Sequence, residues 1–145
     1  MTDLILIRGL PGSGKTTLTD NLNATAVAAD DFFTSAFGVY EFDPALLGTA
    51  HAYCQHRTLT LLNEGSNVVV HNTFSCRWEM QPYIEMAQTT GARLVVVDIY
   101  DGGCSVAELF ERTTHGVPMD AIANMRLRWE HDWKNGNPTP PWERE

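Results

Sequence analysis

The sequence predicts an α/β fold on a parallel sheet, and three observations carry that prediction. Short, continuous apolar runs alternate with longer stretches that bear helix signals. The runs are apolar throughout, as in strands buried on both faces of a parallel sheet. A glycine-rich turn, Gly9-Leu10-Pro11-Gly12-Ser13-Gly14-Lys15-Thr16, separates the first run from the first helical stretch. Alternation of this kind predicts parallel strands joined by helical crossovers. The expected architecture is a single domain over residues 1–145, with about four to five parallel strands flanked by helices and a small helical lid.

The elements follow in order. Leu4-Ile5-Leu6-Ile7 is the first strand, and after the glycine-rich turn a helix is expected from Lys15 to about Asn23. Ala26-Val27-Ala28-Ala29 is a weaker second strand, ending at Asp30 and Asp31. A long helix is expected over residues 44–63, with Asp43 as its N-cap, Pro44 at its first position and Gly65 beyond its end. Val68-Val69-Val70 is the third strand, closing on His71-Asn72-Thr73. Ser75 is a candidate cap for a helix reaching about Thr89, with Gly91 after it. The fourth strand covers residues 94–99. Ser105 and Glu108 form a capping-box pattern for a helix to about Thr114. A last helix is expected over residues 119–133. The lid is placed at about residues 102–118, and residues 134–145, rich in Pro and Asn, read as a loose tail.

The composition is that of an ordinary globular domain, 43% hydrophobic and 19% charged, with a formal net charge of −8. That charge argues against a broad basic surface for duplex DNA, though a local basic groove stays open. Cys54, Cys76 and Cys104 are widely spaced and odd in number, which fits a reduced intracellular protein. No apolar run approaches the ~20 residues that span a bilayer. The expectation is a cytoplasmic protein with no membrane partner.

The glycine-rich turn satisfies G-x-x-x-x-G-K-[ST], in the strand-before, helix-after context that the pattern needs. Backbone N–H groups of Gly9, Leu10, Pro11-Gly12, Ser13, Gly14, Lys15, Thr16 and Thr17, Pro11 itself excepted, would cradle phosphates at a helix N-terminus. Lys15 would reach the β- and γ-phosphates, and the Thr16 hydroxyl would bind Mg²⁺. The fold is therefore expected to be that of a P-loop NTPase, with ATP and Mg²⁺ as its ligands.

Asp30 and Asp31 follow the second strand, where ligands bind in open α/β sheets. A kinase needs a carboxylate there as proton acceptor or to hold metal-bound water. Asp30 is the candidate base and Asp31 the candidate metal ligand. Adjacent Asp residues also make ordinary helix caps, which is the plainer alternative. Arg112 is the candidate lid cation, offsetting charge on the transferring group, with Arg126 and Arg128 on the last helix as weaker candidates. A solvated helix face is the plain alternative for all three. His51, Cys54 and His56 do not share one helix face and lack a fourth ligand, so packing is favoured over zinc. Trp129 and Trp133 read as core anchors rather than base-stacking platforms.

In order along the chain stand Arg8-Gly9-Leu10-Pro11-Gly12-Ser13-Gly14-Lys15-Thr16-Thr17, Asp30-Asp31-Phe32-Phe33, and Gly38-Val39-Tyr40-Glu41-Phe42-Asp43-Pro44. Then come Ala50-His51, Asn72-Thr73, Glu79-Met80-Gln81-Pro82-Tyr83, and Arg112 with His115-Gly116-Val117. This combination resembles the small P-loop kinases typified by the 5′-kinase domain of bacteriophage polynucleotide kinase, over about residues 3–133. The resemblance implies transfer of the γ-phosphoryl group of ATP to a hydroxyl. It maps the general base onto Asp30, the P-loop lysine and hydroxyl onto Lys15 and Thr16, and the lid arginine onto Arg112. Two positions depart from the family: His71 stands where an Asp is usual, and Thr34 stands where the phage enzyme has an arginine.

The expected function is an ATP-dependent kinase acting on a nucleic-acid or nucleotide hydroxyl: a 5′-hydroxyl end or a hydroxymethyl-pyrimidine in DNA, presented on a single-stranded end or flipped base. The alternatives are a small-molecule kinase for a sugar, nucleoside or antibiotic, and an ATP-binding switch without turnover.

Overall fold

The computed structural model of the protein describes residues 2–34, 39–113 and 115–145. Gly38, which opens the Gly38–Pro44 stretch, and Thr114, at the expected end of the helix that Ser105 caps, lie outside the described residues. Four parallel strands form one sheet: β1 (Asp3–Gly9), β2 (Thr25–Val27), β3 (Val68–Asn72) and β4 (Arg93–Tyr100), in the order β2-β3-β1-β4. β1 is thus central, and Ile5 pairs with Val69 on one side and Val95 on the other. Leu4, Leu6, Val68 and Val70 on one face and Ile7 and Val69 on the other are all buried, so burial on both sheet faces explains why the strand runs are apolar without alternation.

The helices are α1 (Lys15–Thr19), α2 (Leu47–Asn63), α3 (Arg77–Thr90), α4 (Val106–Arg112) and α5 (Met119–Leu127). Asp43 caps as expected, its carboxylate accepting from Ala45 N–H at 3.0 Å, but Pro44–Leu46 is a 3-10 turn leading into α2. The Ser105–Glu108 box closes reciprocally at the start of α4. Gly91 ends α3 in the left-handed conformation, φ 76°.

Four expectations are corrected. α1 stops at Thr19, not near Asn23. The Thr19 hydroxyl donates back to the Thr16 carbonyl at 2.7 Å, and the following turns tighten to three-residue spacing. β2 ends at Val27, and Asp30 and Asp31 lie in a 3-10 turn, Ala29–Phe33, rather than at the strand's own end. The cap of α3 is Cys76, not Ser75. Ser75 is buried, and its hydroxyl donates to the Glu79 carboxylate at 2.8 Å, which also accepts the Cys76 N–H. α5 ends at Leu127, six residues before Trp133.

Arg8 explains that last correction. Its guanidinium is wholly buried and donates to the carbonyls of Phe74, Ser75 and Glu130 and to Asp98 at 2.8–3.1 Å. It also stacks 4.2 Å from the Trp129 ring. A buried cation needs this full set of partners, and reaching Trp129 and Glu130 takes the chain out of the helix. Trp129 is buried, and Trp133 packs partly buried against the main core, so both are anchors although they share no helix. Beyond them the C-terminal residues form two 3-10 turns, and Trp142 sets its ring 5.2 Å from Trp78.

Two apolar clusters divide the core. The larger lies between the sheet, α2 and α3. The smaller joins Leu10 of the glycine-rich turn to Cys104, Leu109, Ile122 and Trp129. Through it α4 and α5 are fastened directly to the glycine-rich turn.

Candidate active site

The site is assembled where β1, β2, β3 and β4 all end. The turn leaving β1 is anchored on both sides: Gly9 N–H donates to the Thr73 carbonyl at 3.2 Å and Leu10 N–H to that of Tyr100 at 2.8 Å. Gly12 and Gly14 take φ 81° and 104°, the left-handed region that side chains resist. At Gly12 a Cβ would stand 2.3 Å from the Leu109 carbonyl oxygen, so the missing side chain lets α4 lie against the turn.

Inside this turn one buried hydroxyl lacks a partner and one ammonium has a single long one. The Ser13 hydroxyl is buried with no hydrogen-bond partner among the described residues. Lys15 donates to the Leu10 carbonyl at 3.3 Å. Burial pushes its ammonium down to about 8, only partly opposed by the Asp30 carboxylate. The N–H groups of Gly9, Leu10 and Ser13, expected to face phosphate, are instead donated to the carbonyls of Thr73, Tyr100 and Leu10. The seat's unmet demand for anionic oxygens therefore rests on the desolvated Lys15 cation and the orphan Ser13 hydroxyl. Thr16 and Thr17 are exposed on the first turn of α1.

Asp30 is exposed and faces this seat. Its Oδ1 accepts the Tyr40 hydroxyl at 3.2 Å, and its Oδ2 lies 4.0 Å from Nδ1 of His115. Asp31 points elsewhere: its Oδ2 accepts the Ala28 N–H at 3.0 Å and closes the 3-10 turn. Asn72 braces the same turn by accepting the Ala29 N–H at 2.9 Å. His71, at the end of β3, has its pKa lowered by burial, with Asp31, Lys15 and Asp30 as its charged neighbours. A neutral imidazole therefore stands where the resemblance led to the expectation of a carboxylate.

Arg112 reaches the turn. One guanidinium nitrogen donates to the Cys104 thiol at 2.8 Å and the other lies 3.9 Å from where a Cβ of Gly14 would be. Arg126 and Arg128 do not join it. Arg126 pairs with Asp101 at 3.3 Å and donates to the Cys104 carbonyl, while Arg128 donates to the Ser75 hydroxyl at 3.3 Å. Cys54 is buried in the core beside Asn72, away from the exposed His56.

Sequence reasoning did not connect Tyr40 and His115 with Asp30. Their rings meet at 3.9 Å, edge to face. Tyr40 is brought in by an isolated antiparallel bridge with Thr34, and His115 by the segment after α4. The surrounding aromatics divide: Phe33 is a buried wedge, Phe32 packs on Tyr53, and Phe42 is half exposed against Phe33.

Known proteins share this framework. NEDD4-binding protein 2 of Homo sapiens is 33% identical over 129 residues, a match covering 84% of this chain but 7% of that protein's length. A chain of the Pnkp1/Rnl/Hen1 RNA repair complex shares the fold with a TM-score of 0.68 at 23% identity, over 88% of this chain and 43% of that one. The Mycobacterium tuberculosis APS kinase CysC, in complex with AMPPNP and APS, has a TM-score of 0.56 at 16% identity, over 97% and 84% of the two chains. The four parallel strands, the flanking helices and the P-loop at the end of β1 are thus those of a P-loop kinase-like fold. The AAA domain family model matches residues 4–128, and the chain belongs to that family.

Proposed function

We propose that the protein is a Mg-ATP-dependent phosphotransferase that moves the γ-phosphoryl group of ATP to a hydroxyl of a nucleic acid or nucleotide. One observation carries the reading. A desolvated lysine in a phosphate-shaped turn faces a carboxylate that already accepts a hydroxyl hydrogen bond. A phosphate seat beside a hydroxyl-accepting carboxylate is the minimum equipment for moving a phosphoryl group to an alcohol. The orphan Ser13 hydroxyl and the under-partnered Lys15 fit a bound triphosphate. Thr16, exposed at the start of α1, is the oxygen donor that would hold Mg²⁺ beside the seat, whereas Asp31, the other candidate, is turned onto the Ala28 N–H and does not fit that role as it stands. Bound Mg-ATP supplies the phosphoryl group and the metal's charge shielding.

The chain's residues do the rest. Lys15 neutralises phosphate oxygens, Asp30 takes the proton of the acceptor hydroxyl, and Arg112 sits over Gly14 where charge grows on the transferring group. His71, kept neutral by burial, offers a hydrogen bond near Asp31 without adding positive charge. The fold neighbour in complex with AMPPNP supports the nucleotide, and the one from an RNA repair complex supports the nucleic-acid acceptor. Free Cys54, Cys76 and Cys104 go with a reducing cytoplasmic setting. Among the described residues no helix is long and apolar enough to cross a membrane.

A small-molecule acceptor is the second reading, because Tyr40 and His115, the side chains beside the Asp30 carboxylate, bring no fixed positive charge. Labelled ATP with a 5′-hydroxyl oligonucleotide, a hydroxymethyl-pyrimidine oligonucleotide, free nucleosides and sugars separates the two. Label confined to non-nucleotide acceptors would replace the first reading with the second. ATP binding without turnover on any acceptor would leave a switch.

A further inference from the structure

The Tyr40 hydroxyl occupies a place on Asp30 that an acceptor hydroxyl needs. Its bond to Oδ1 is 3.2 Å, and the phenol stays protonated, pushed up to about 12 by burial and by the Asp30 charge. The phenol is therefore the donor and Asp30 the acceptor, the same polarity an alcohol substrate must adopt. His115 lies 4.0 Å from the other carboxylate oxygen and packs edge-on against the Tyr40 ring. Tyr40 also rests edge-to-face on buried Phe33, at 6.2 Å, so its ring is held from behind.

From this geometry we infer that Tyr40 is a positioning residue, which holds the acceptor's place on Oδ1 of Asp30 and, with His115 beside Oδ2, disfavours water against an acceptor as the group that uses that carboxylate as a base. The inference rests on the phosphotransferase reading above. In the wasteful reaction, water oxygen bonds to the γ-phosphorus, the bond to ADP breaks, and the water proton passes to Asp30. Asp30 is open to solvent, but water that bonds at Oδ1 must displace the phenol with nothing to offset the lost hydrogen bond. An acceptor brings contacts elsewhere in its body that can offset it.

The experiment measures ADP release without acceptor, and product formed per ADP with a 5′-hydroxyl oligonucleotide. Tyr40→Phe keeps the ring packing and removes only the hydroxyl. It is expected to raise acceptor-free hydrolysis roughly tenfold, the effect of one hydrogen bond to a charged group. Product per ADP should fall, with the melting temperature unchanged. His115→Ala should move the same ratio in the same direction by less. Adding Asp30→Asn to Tyr40→Phe should return hydrolysis to the parent level, because the gain runs through Asp30. Unchanged hydrolysis in Tyr40→Phe, beside a parent that transfers phosphate, would overturn the inference alone. So would a gain that survives Asp30→Asn. A parent that forms no ADP with any acceptor overturns the phosphotransferase reading, and the inference with it.

Discussion

At Lys15 the fold holds a cost that only a ligand removes. Its pKa is depressed to about 8 from an ordinary 10.5, with burial as the larger cause. The unfolded chain therefore binds more protons between about pH 8 and 10.5, so stability from this group rises with pH across that window. Below it the buried charge destabilises by an amount on the order of 2–3 kcal/mol. Lys15→Met should raise the melting temperature of ligand-free protein at pH 7 while abolishing transfer and the thermal shift that Mg-ATP gives the parent. Scanning calorimetry with and without nucleotide checks both, and equal turnover by mutant and parent would remove Lys15 from the phosphate seat. The neighbouring carboxylates make a second prediction. Asp30→Asn should lower kcat by roughly 10²–10⁴, the usual effect of losing a general base. Asp31→Asn should lower it less, because an amide oxygen can still accept the Ala28 N–H. Steady-state rates in the opposite order would reassign the base within the pair.

Element by element, α4, α5 and the P-loop form one packed unit, because Leu10 shares an apolar cluster with Leu109 and Ile122. Gly12 is the contact point, so Gly12→Ala should push α4 outward and carry Arg112 away from Gly14. The expected result is at least about a tenfold loss of kcat together with a stability loss on the order of 1–3 kcal/mol. Gly65→Ala is the control, since its φ of 84° carries similar strain but a Cβ there meets nothing within 4 Å. It should lose about 1 kcal/mol and keep parental kcat. Parental kcat in Gly12→Ala would show that the close approach of α4 is dispensable. The existence and order of these elements were legible because apolar runs, the Asp43 cap and the Ser105–Glu108 box are local signals. Their ends were not. α5 stops where Arg8 draws in Trp129 and Glu130, and α3 begins where Glu79 caps Cys76 with Ser75 turned inward. No local pattern announces a partner from the far end of the chain.

For the molecule as a whole, the same division holds at the site. The turn from Gly9 to Thr16 was readable as a motif, Asp30 and Arg112 were singled out with the help of the family resemblance, and their roles belong to the proposal. The meeting of Tyr40, Asp30 and His115 was not readable, because three separate segments supply it. Tertiary structure also decides what the few cations can do. The chain has 10 Lys and Arg against 18 Asp and Glu. Arg8, Arg93 and Arg126 are paired with Asp98, Asp3 and Asp101. Arg77 and Arg144 are hydrogen-bonded to the chain's own carbonyls, and Lys15 and Arg112 attend the P-loop. With so many committed, little positive charge remains to follow a phosphate backbone. On the proposed reading a nucleic-acid acceptor would then be held by its end at Asp30, with stacking on an exposed ring adding about 1–3 kcal/mol per base. One or two phosphate contacts predict a shallow salt dependence for a single-stranded 5′-hydroxyl oligonucleotide, with a log–log slope between about −0.7 and −1.4. Apparent acceptor affinity, measured from about 50 to 200 mM salt at saturating ATP, reads that slope directly. A slope of about −4 or steeper would mean six or more phosphates engaged. In that case the paired arginines would have to open toward the nucleic acid, and recognition would run along the backbone rather than at the end.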